Sequence, residues 1–207
     1  MPSAECLVPS ARRDRRGMSE TIQEVTGKTA GEYFVRLDAL VAPGTVLYVY
    51  GGAAVALLGS GIRTTMDVDV AESYSHFDRA TFAAASAKAG LPVNPGAEYE
   101  SAFLELVGAL RLCLPEPTAE KPGLELFKGA NLTVRTGSAA DLIASKLVRY
   151  DEQDQQDIQF LLKAGAVTLS AVRESVSRLP ETFREDALVR ENLGNLEGDM
   201  RMWGAKS

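Results

Sequence analysis

The stretch YVYGGAAVALLGSGIRTTMDVDV, residues 48–70, decides how this chain is read. It begins inside TVLYVY (45–50), a β-branched and aromatic run that stops at Gly51-Gly52, as a buried strand feeding a tight turn does. The AAVALL that follows is small and apolar and suits a short helix packed on a sheet; Gly59, Ser60 and Gly61 end it. A second strand is predicted over 66–70. There Met66, Val68 and Val70 alternate with Asp67 and Asp69, so period-two geometry turns the apolar side chains to the core and both carboxylates to the opposite face.

Such an order has a physical use. Glycines after a strand let the backbone approach a triphosphate closely, and the amides opening the next helix present partial positive charge to it. Residues two apart on a strand lie roughly 6.6–7 Å apart and face one way. Asp67 and Asp69 can therefore reach a shared pair of divalent cations, which stand about 3.5–4 Å apart in two-metal sites. Mg²⁺ (or Mn²⁺) prefers the carboxylate, water and phosphate oxygens that such a site offers. Without a cation the pair is hard to explain, because acids are depleted in strands and two on one face repel. Arg63, just before Thr64-Thr65, is placed to clamp a phosphate.

Working outward, residues 77–89 are alanine-rich and predict a helix stopped by Gly90, with Pro92 and Pro95 beyond. Residues 99–114 read either as a helix or as a helix remnant followed by a strand over 110–114; the second is the reading taken. After the proline-rich loop 115–122, LELF and NLTVRT flank Lys128-Gly129-Ala130 like the arms of a hairpin. Ser138 and Asp141 form a capping-box variant opening the helix DLIASKLVRY. A further helix covers DQQDIQFLLKAG (154–165), and charged amphipathic helix broken at Pro180 covers 168–203. Asp154 and Asp157 are expected to pair with nearby Lys or Arg at helical spacing.

The first seventeen residues, MPSAECLVPSARRDRRG, are basic and rich in Pro and Ser, with no apolar core for a secretion signal. They are expected to be a disordered extension, with the fold beginning at Met18. Thr21 with Glu24 fits a capping box, and helix can recur through Leu37 and Leu40. The expected organisation is an extension (1–17), an α/β core (18–137) and a helical region (138–207), together an α+β fold around a small mixed sheet flanked by helices. No run approaches the roughly 20 apolar residues of a membrane span. Two distant cysteines, Cys6 and Cys113, match no metal or redox spacing, which points to a reducing cytoplasm, with Cys6 in the extension and Cys113 in the core. The formal net charge of −6 opposes the basic footprint of tight nucleic-acid binding, so an RNA partner needs a local patch. His76, the only histidine, is read as a loop residue, and no nucleophilic triad assembles around it.

The residues of 48–70 resemble the opening motif of the minimal nucleotidyltransferases in the polymerase-β-like superfamily. In particular they are similar to abortive-infection toxin nucleotidyltransferases and their uncharacterised relatives, where Gly-Gly, Arg-x-Thr and Asp-x-Asp recur in that order. Here these are Gly51-Gly52, Arg63-Thr64-Thr65 and Asp67-Val68-Asp69. A second block, NLTVRTGSAADLIASKLVRYDEQDQQDIQFLL, is similar to the later element of that group, with Lys146 as its lysine and Asp154 and Asp157 as its helical acids. The resemblance spans about residues 45–163. It implies that Asp67 and Asp69 hold metal, that Asp67, Asp69 and Lys146 are catalytic, and that Gly51, Gly52, Arg63, Thr64 and Thr65 bind nucleotide.

The group commonly has a third carboxylate on a later strand, and none is obvious here. Glu105, Glu116 and Glu125 are candidates by position, with Glu125, between Leu124 and Leu126 in a predicted strand, placed first. Two functions follow as expectations. One is a metal-dependent enzyme moving a nucleoside monophosphate from an NTP to a tRNA end or a protein side chain, in a toxin-antitoxin or phage-defence setting. The other is an inactive binding module of the same fold, an antitoxin or nucleotide sensor, favoured by the acidic charge and the missing third acid.

Overall fold

The computed structural model describes residues 21–204. The expected extension 1–17, Met18 and Cys6 lie outside them. The described chain is an α+β fold built on a five-stranded mixed sheet of order β3-β2-β1-β5-β4. Its strands are β1 (Thr45–Tyr50), β2 (Asp67–Ala71), β3 (Phe103–Val107), β4 (Leu124–Lys128) and β5 (Leu132–Thr136). β1 is central and almost wholly buried. It pairs antiparallel with β2 and parallel with β5, while β2–β3 is parallel and β4–β5 antiparallel.

Helix α2 (Gly51–Leu57) follows β1 without a linker and packs against β2. Its consecutive Ala53, Ala54, Val55 and Ala56 are buried all round the helix, as small apolar residues allow when a helix is enclosed by its neighbours. α1 (Gly27–Asp38) packs beside α2 and against α3 (Arg79–Ala89). The second half of the chain supplies α4 (Ala139–Lys146), α5 (Glu152–Gly165), α6 (Leu169–Ser177), α7 (Glu181–Arg184) and α8 (Ala187–Met202). Both α4 and α5 touch α2, which brings the later helices to the glycine turn. No described helix is long and apolar enough to cross a membrane.

Local signals place several elements as the sequence predicts. Ser138 accepts from the Asp141 amide while Asp141 accepts from the Ser138 amide, closing the expected capping box of α4. Asp78 caps α3, and Gly90 ends it in the left-handed conformation. The β4–β5 hairpin is tied down by Asp38, whose carboxylate accepts from the amides of Ala130, Asn131 and Leu132.

Three expectations are corrected. Helix does not begin at Thr21: Val25 forms an extended bridge with Thr65 (N···O 2.8 and 3.0 Å), and α1 starts only after Thr26, boxed with Thr29. Pairing with the chain ahead of β2 there outweighs the Thr21–Glu24 signal. Met66 is not a core residue but 43% exposed, because β2 begins one residue later. The strand within 99–114 runs from Phe103 to Val107, not over 110–114, since its alternating Leu104 and Leu106 bury themselves beside Val68 and Val70 through the parallel β2–β3 register.

Candidate active site

At the end of β1 the backbone turns sharply. Gly51 has φ +66, and a side chain there would meet the Asp69 carboxylate. Gly52 faces the Arg63 guanidinium so closely that a Cβ would stand 2.5 Å from Nη2 and 2.9 Å from Cζ. The glycine pair is therefore pressed between an acid and a base, an arrangement any side chain would disturb.

On β2 the predicted alternation holds from Val68 to Val70: these two valines are fully buried, and Asp67 and Asp69 share the half-buried opposite face. Parallel pairing then supplies what the chain order hides. Asp69 is in register with Glu105 on β3, and single carboxylate oxygens of Asp67, Asp69 and Glu105 all lie within 4.8 Å of one another. The third acid is Glu105 and not Glu125, which sits exposed on β4 at the far edge of the sheet, 4.0 Å from Arg135. Glu116 lies exposed in the following loop. The sequence signal for Glu105 is the alternation in FLELV: a strand over Phe103–Val107 buries Leu104 and Leu106 and turns Glu105 to the other face.

Three carboxylates in so small a space are costly to ionise together. Burial first, then the charges of Asp67 and Glu105, push the Asp69 carboxyl up to about 7, with Lys146 and Arg111 pulling the other way. Arg111 sits on the outer side, 2.7 Å from Glu105. The donor set is all oxygen and carries up to three negative charges, which fits a hard divalent cation. Thr65 donates to Asp67 Oδ1 at 2.6 Å and so fixes one rotamer of the set.

The opposite wall comes from α4, α5 and the loop before β2. Lys146, buried, donates to Asp157 Oδ2 (2.6 Å) and Asp154 Oδ1 (3.2 Å). Arg63 reaches the same Asp157 oxygen at 3.2 Å and also donates to the Thr64 carbonyl. Arg149 grips Asp154 with two bonds, 2.9 and 3.0 Å. The two helical acids thus pair with basic groups as expected, but across elements and not along their own helix.

Between the walls lies a cavity of about 360 Å³, lined among others by Tyr50, Gly51, Gly52, Asp67, Asp69 and Lys146. Arg63 and Arg149 complete its basic side. Thr64 and Thr65 do not line it; they act on Arg63 and Asp67, which do. Cys113 does line it, half-buried and not deep in the core. Burial, and then the nearby Asp69, push its thiol up to about 11, so it stays protonated and is no nucleophile at neutral pH. His76 pairs through its backbone with Val46 near the start of β1, and it does not line the cavity.

The family model described as "Nucleotidyltransferase of unknown function (DUF6036)" matches residues 39–183. That is well over half of the chain and contains every residue named in the cleft, and the chain belongs to this family. No curated protein and no solved structure matches it.

Proposed function

We propose that this member of a nucleotidyltransferase family transfers a nucleoside monophosphate from an NTP to a hydroxyl on a tRNA end or a partner protein. The observation that carries the reading is the convergence of three carboxylates, a glycine corner and a basic wall on one cavity. Asp67, Asp69 and Glu105 are the residues to hold Mg²⁺ (or Mn²⁺), which would supply charge neutralisation and activate the attacking oxygen. The Gly51-Gly52 turn holds the backbone close against Asp69 and Arg63, at the corner that the resemblance gives to the triphosphate. Arg63 and Lys146 face its negative charge, each kept rigid by Asp157.

In the transfer, the acceptor oxygen bonds to the α-phosphorus while the bond from that phosphorus to the bridging oxygen breaks, and pyrophosphate leaves with the electron pair. The hydroxyl proton passes to one of the three carboxylates. Thr64 and Thr65 serve the nucleotide indirectly in this reading, by aiming Arg63 and Asp67. The cleft then lies between a core of residues 18–137 and a helical region of 138–207.

A toxin-antitoxin or phage-defence role in the cytoplasm, with a cognate partner, is the setting suggested by the resemblance of the Gly-Gly, Arg-x-Thr and Asp-x-Asp series to abortive-infection toxins. Of the two grounds for the inactive-module alternative, the position of Glu105 beside Asp67 and Asp69 weakens the lack of a third acid, while the acidic net charge of −6 stands. The test is incubation with each α-labelled NTP, Mg²⁺ and either bulk tRNA or cell lysate. Label on RNA or protein with the wild-type chain, absent with Asp67→Ala, is the expected result. Equal labelling by the Asp67→Ala chain sinks the assignment.

A further inference from the structure

The connection from α4 to α5 holds an uncommon backbone. Tyr150 adopts the left-handed region at φ +60, which a side chain of that size seldom enters. The surroundings enforce it: its amide donates to the Lys146 carbonyl (2.8 Å), its hydroxyl to Asp199 (2.6 Å), and its own carbonyl accepts from Gln155 (3.3 Å). The turn leaves the preceding residue, Arg149, at the mouth of the cleft with a side chain 66% exposed.

That side chain is nevertheless fixed. Its Nε and Nη2 engage both oxygens of buried Asp154, and Nε also lies 2.7 Å from Asp151. Because N–H groups point outward in the guanidinium plane, these contacts occupy an edge and leave the faces free. A flat, immobilised, weakly hydrated cation beside Val148, which lines the same cavity, is a surface on which an aromatic ring stacks. Lys146 acts on the Asp69 carboxyl and Arg63 stands against Gly52, so these two already serve the acids and the glycine corner where the triphosphate is placed, and Arg149 is left for another part of the nucleotide.

Resting on the NTP reading above, we infer that Arg149 is the stacking platform for the nucleobase, with Val148 as its apolar neighbour. Recognition by a face is indifferent to the hydrogen-bonding edge of the base. The site therefore takes purine nucleotides over pyrimidine ones by stacking area and separates ATP from GTP weakly.

Equilibrium titration in Mg²⁺ with ATP, GTP, UTP and inorganic tripolyphosphate tests this. Wild type should bind ATP and GTP within about threefold of each other and roughly tenfold tighter than tripolyphosphate, with UTP between. Arg149→Lys keeps the charge and the partner for Asp154 but removes the plane. It should bring the nucleotides to within about twofold of tripolyphosphate, whose own affinity is unchanged. A parallel fall in tripolyphosphate binding by Arg149→Lys makes the residue a phosphate contact and overturns the platform, as does undiminished ATP binding. Wild-type preference for ATP over GTP, or the reverse, beyond about tenfold overturns it without any variant, since a face cannot read that difference. Equal wild-type binding of ATP and tripolyphosphate removes the platform alone; binding of neither removes the NTP reading as well.

Discussion

The two walls of the cleft handle charge in opposite ways. On the strand side, Asp67, Asp69 and Glu105 crowd together, relieved by a hydrogen bond from Thr65, the exposed Arg111 and the charge of Lys146, and Asp69 still resists ionisation until about pH 7. On the helix side, Asp154 and Asp157 are the most deeply buried acids among the described residues, yet Lys146, Arg63 and Arg149 answer them at hydrogen-bond distance. The first wall stores repulsion that a bound cation would release; the second is a finished network whose work is to hold basic groups still. On the proposed reading, the contrast separates acids kept for binding from acids kept for rigidity.

The largest expected effect breaks the first wall alone. Asp69→Ala should lower transfer by about a hundredfold to a thousandfold or more, by analogy with the loss of other buried electrostatic groups from active sites. It should leave the melting temperature unchanged or raised, because it removes one of three mutually repelling charges. A clear drop in melting temperature would contradict the stored-repulsion account.

Asp157→Ala should do the reverse and unsettle the fold, since it strips Lys146 and Arg63 of their shared buried partner. Such losses cost about 3–5 kcal/mol, or a fall in melting temperature on the order of 10 °C for a chain of this size. Calorimetry on this variant and on Asp69→Ala, side by side, measures the comparison directly.

Titration with acid sharpens it. The folded Asp69 carboxyl lies above its unfolded value of 3.8, so its protonated form is favoured in the native state. Its contribution to stability is full below 3.8 and is lost as pH rises from there through about 7, so the metal-free chain should lose stability across that window. Mn²⁺ should bind more tightly over that same rise, because a protonated carboxyl is no ligand, and should restore stability above pH 7. Calorimetric Mn²⁺ titrations between pH 5.5 and 8, taken as roughly bracketing the transition, check both signs.

At the small end, Gly51→Ala should cost about 1–2 kcal/mol from its left-handed backbone alone, read by denaturant unfolding. Glu125→Gln should shift stability by less than about 0.5 kcal/mol and leave transfer intact, while Glu105→Gln weakens Mn²⁺ binding. Equal effects of the two glutamate variants would undo the assignment of Glu105 to the acidic wall.

The sequence by itself determined most of what depends on near neighbours, the Thr21–Glu24 signal, overridden by the Val25–Thr65 bridge, being an exception. Period two put Asp67 and Asp69 on one face of β2, the glycine pair marked the turn after β1, and Ser138 with Asp141 opened α4, because each signal acts within a few residues of backbone. The tertiary structure alone decided which acid joins the pair and what Lys146 and Arg149 touch. Glu105 meets Asp69 only through the register of two parallel strands separated by a helix and long loops, and Glu125, placed first along the chain, ends on the opposite edge of the sheet. Registers and helix contacts of that kind are chosen by burial summed over whole elements, so no short stretch of residues carries them.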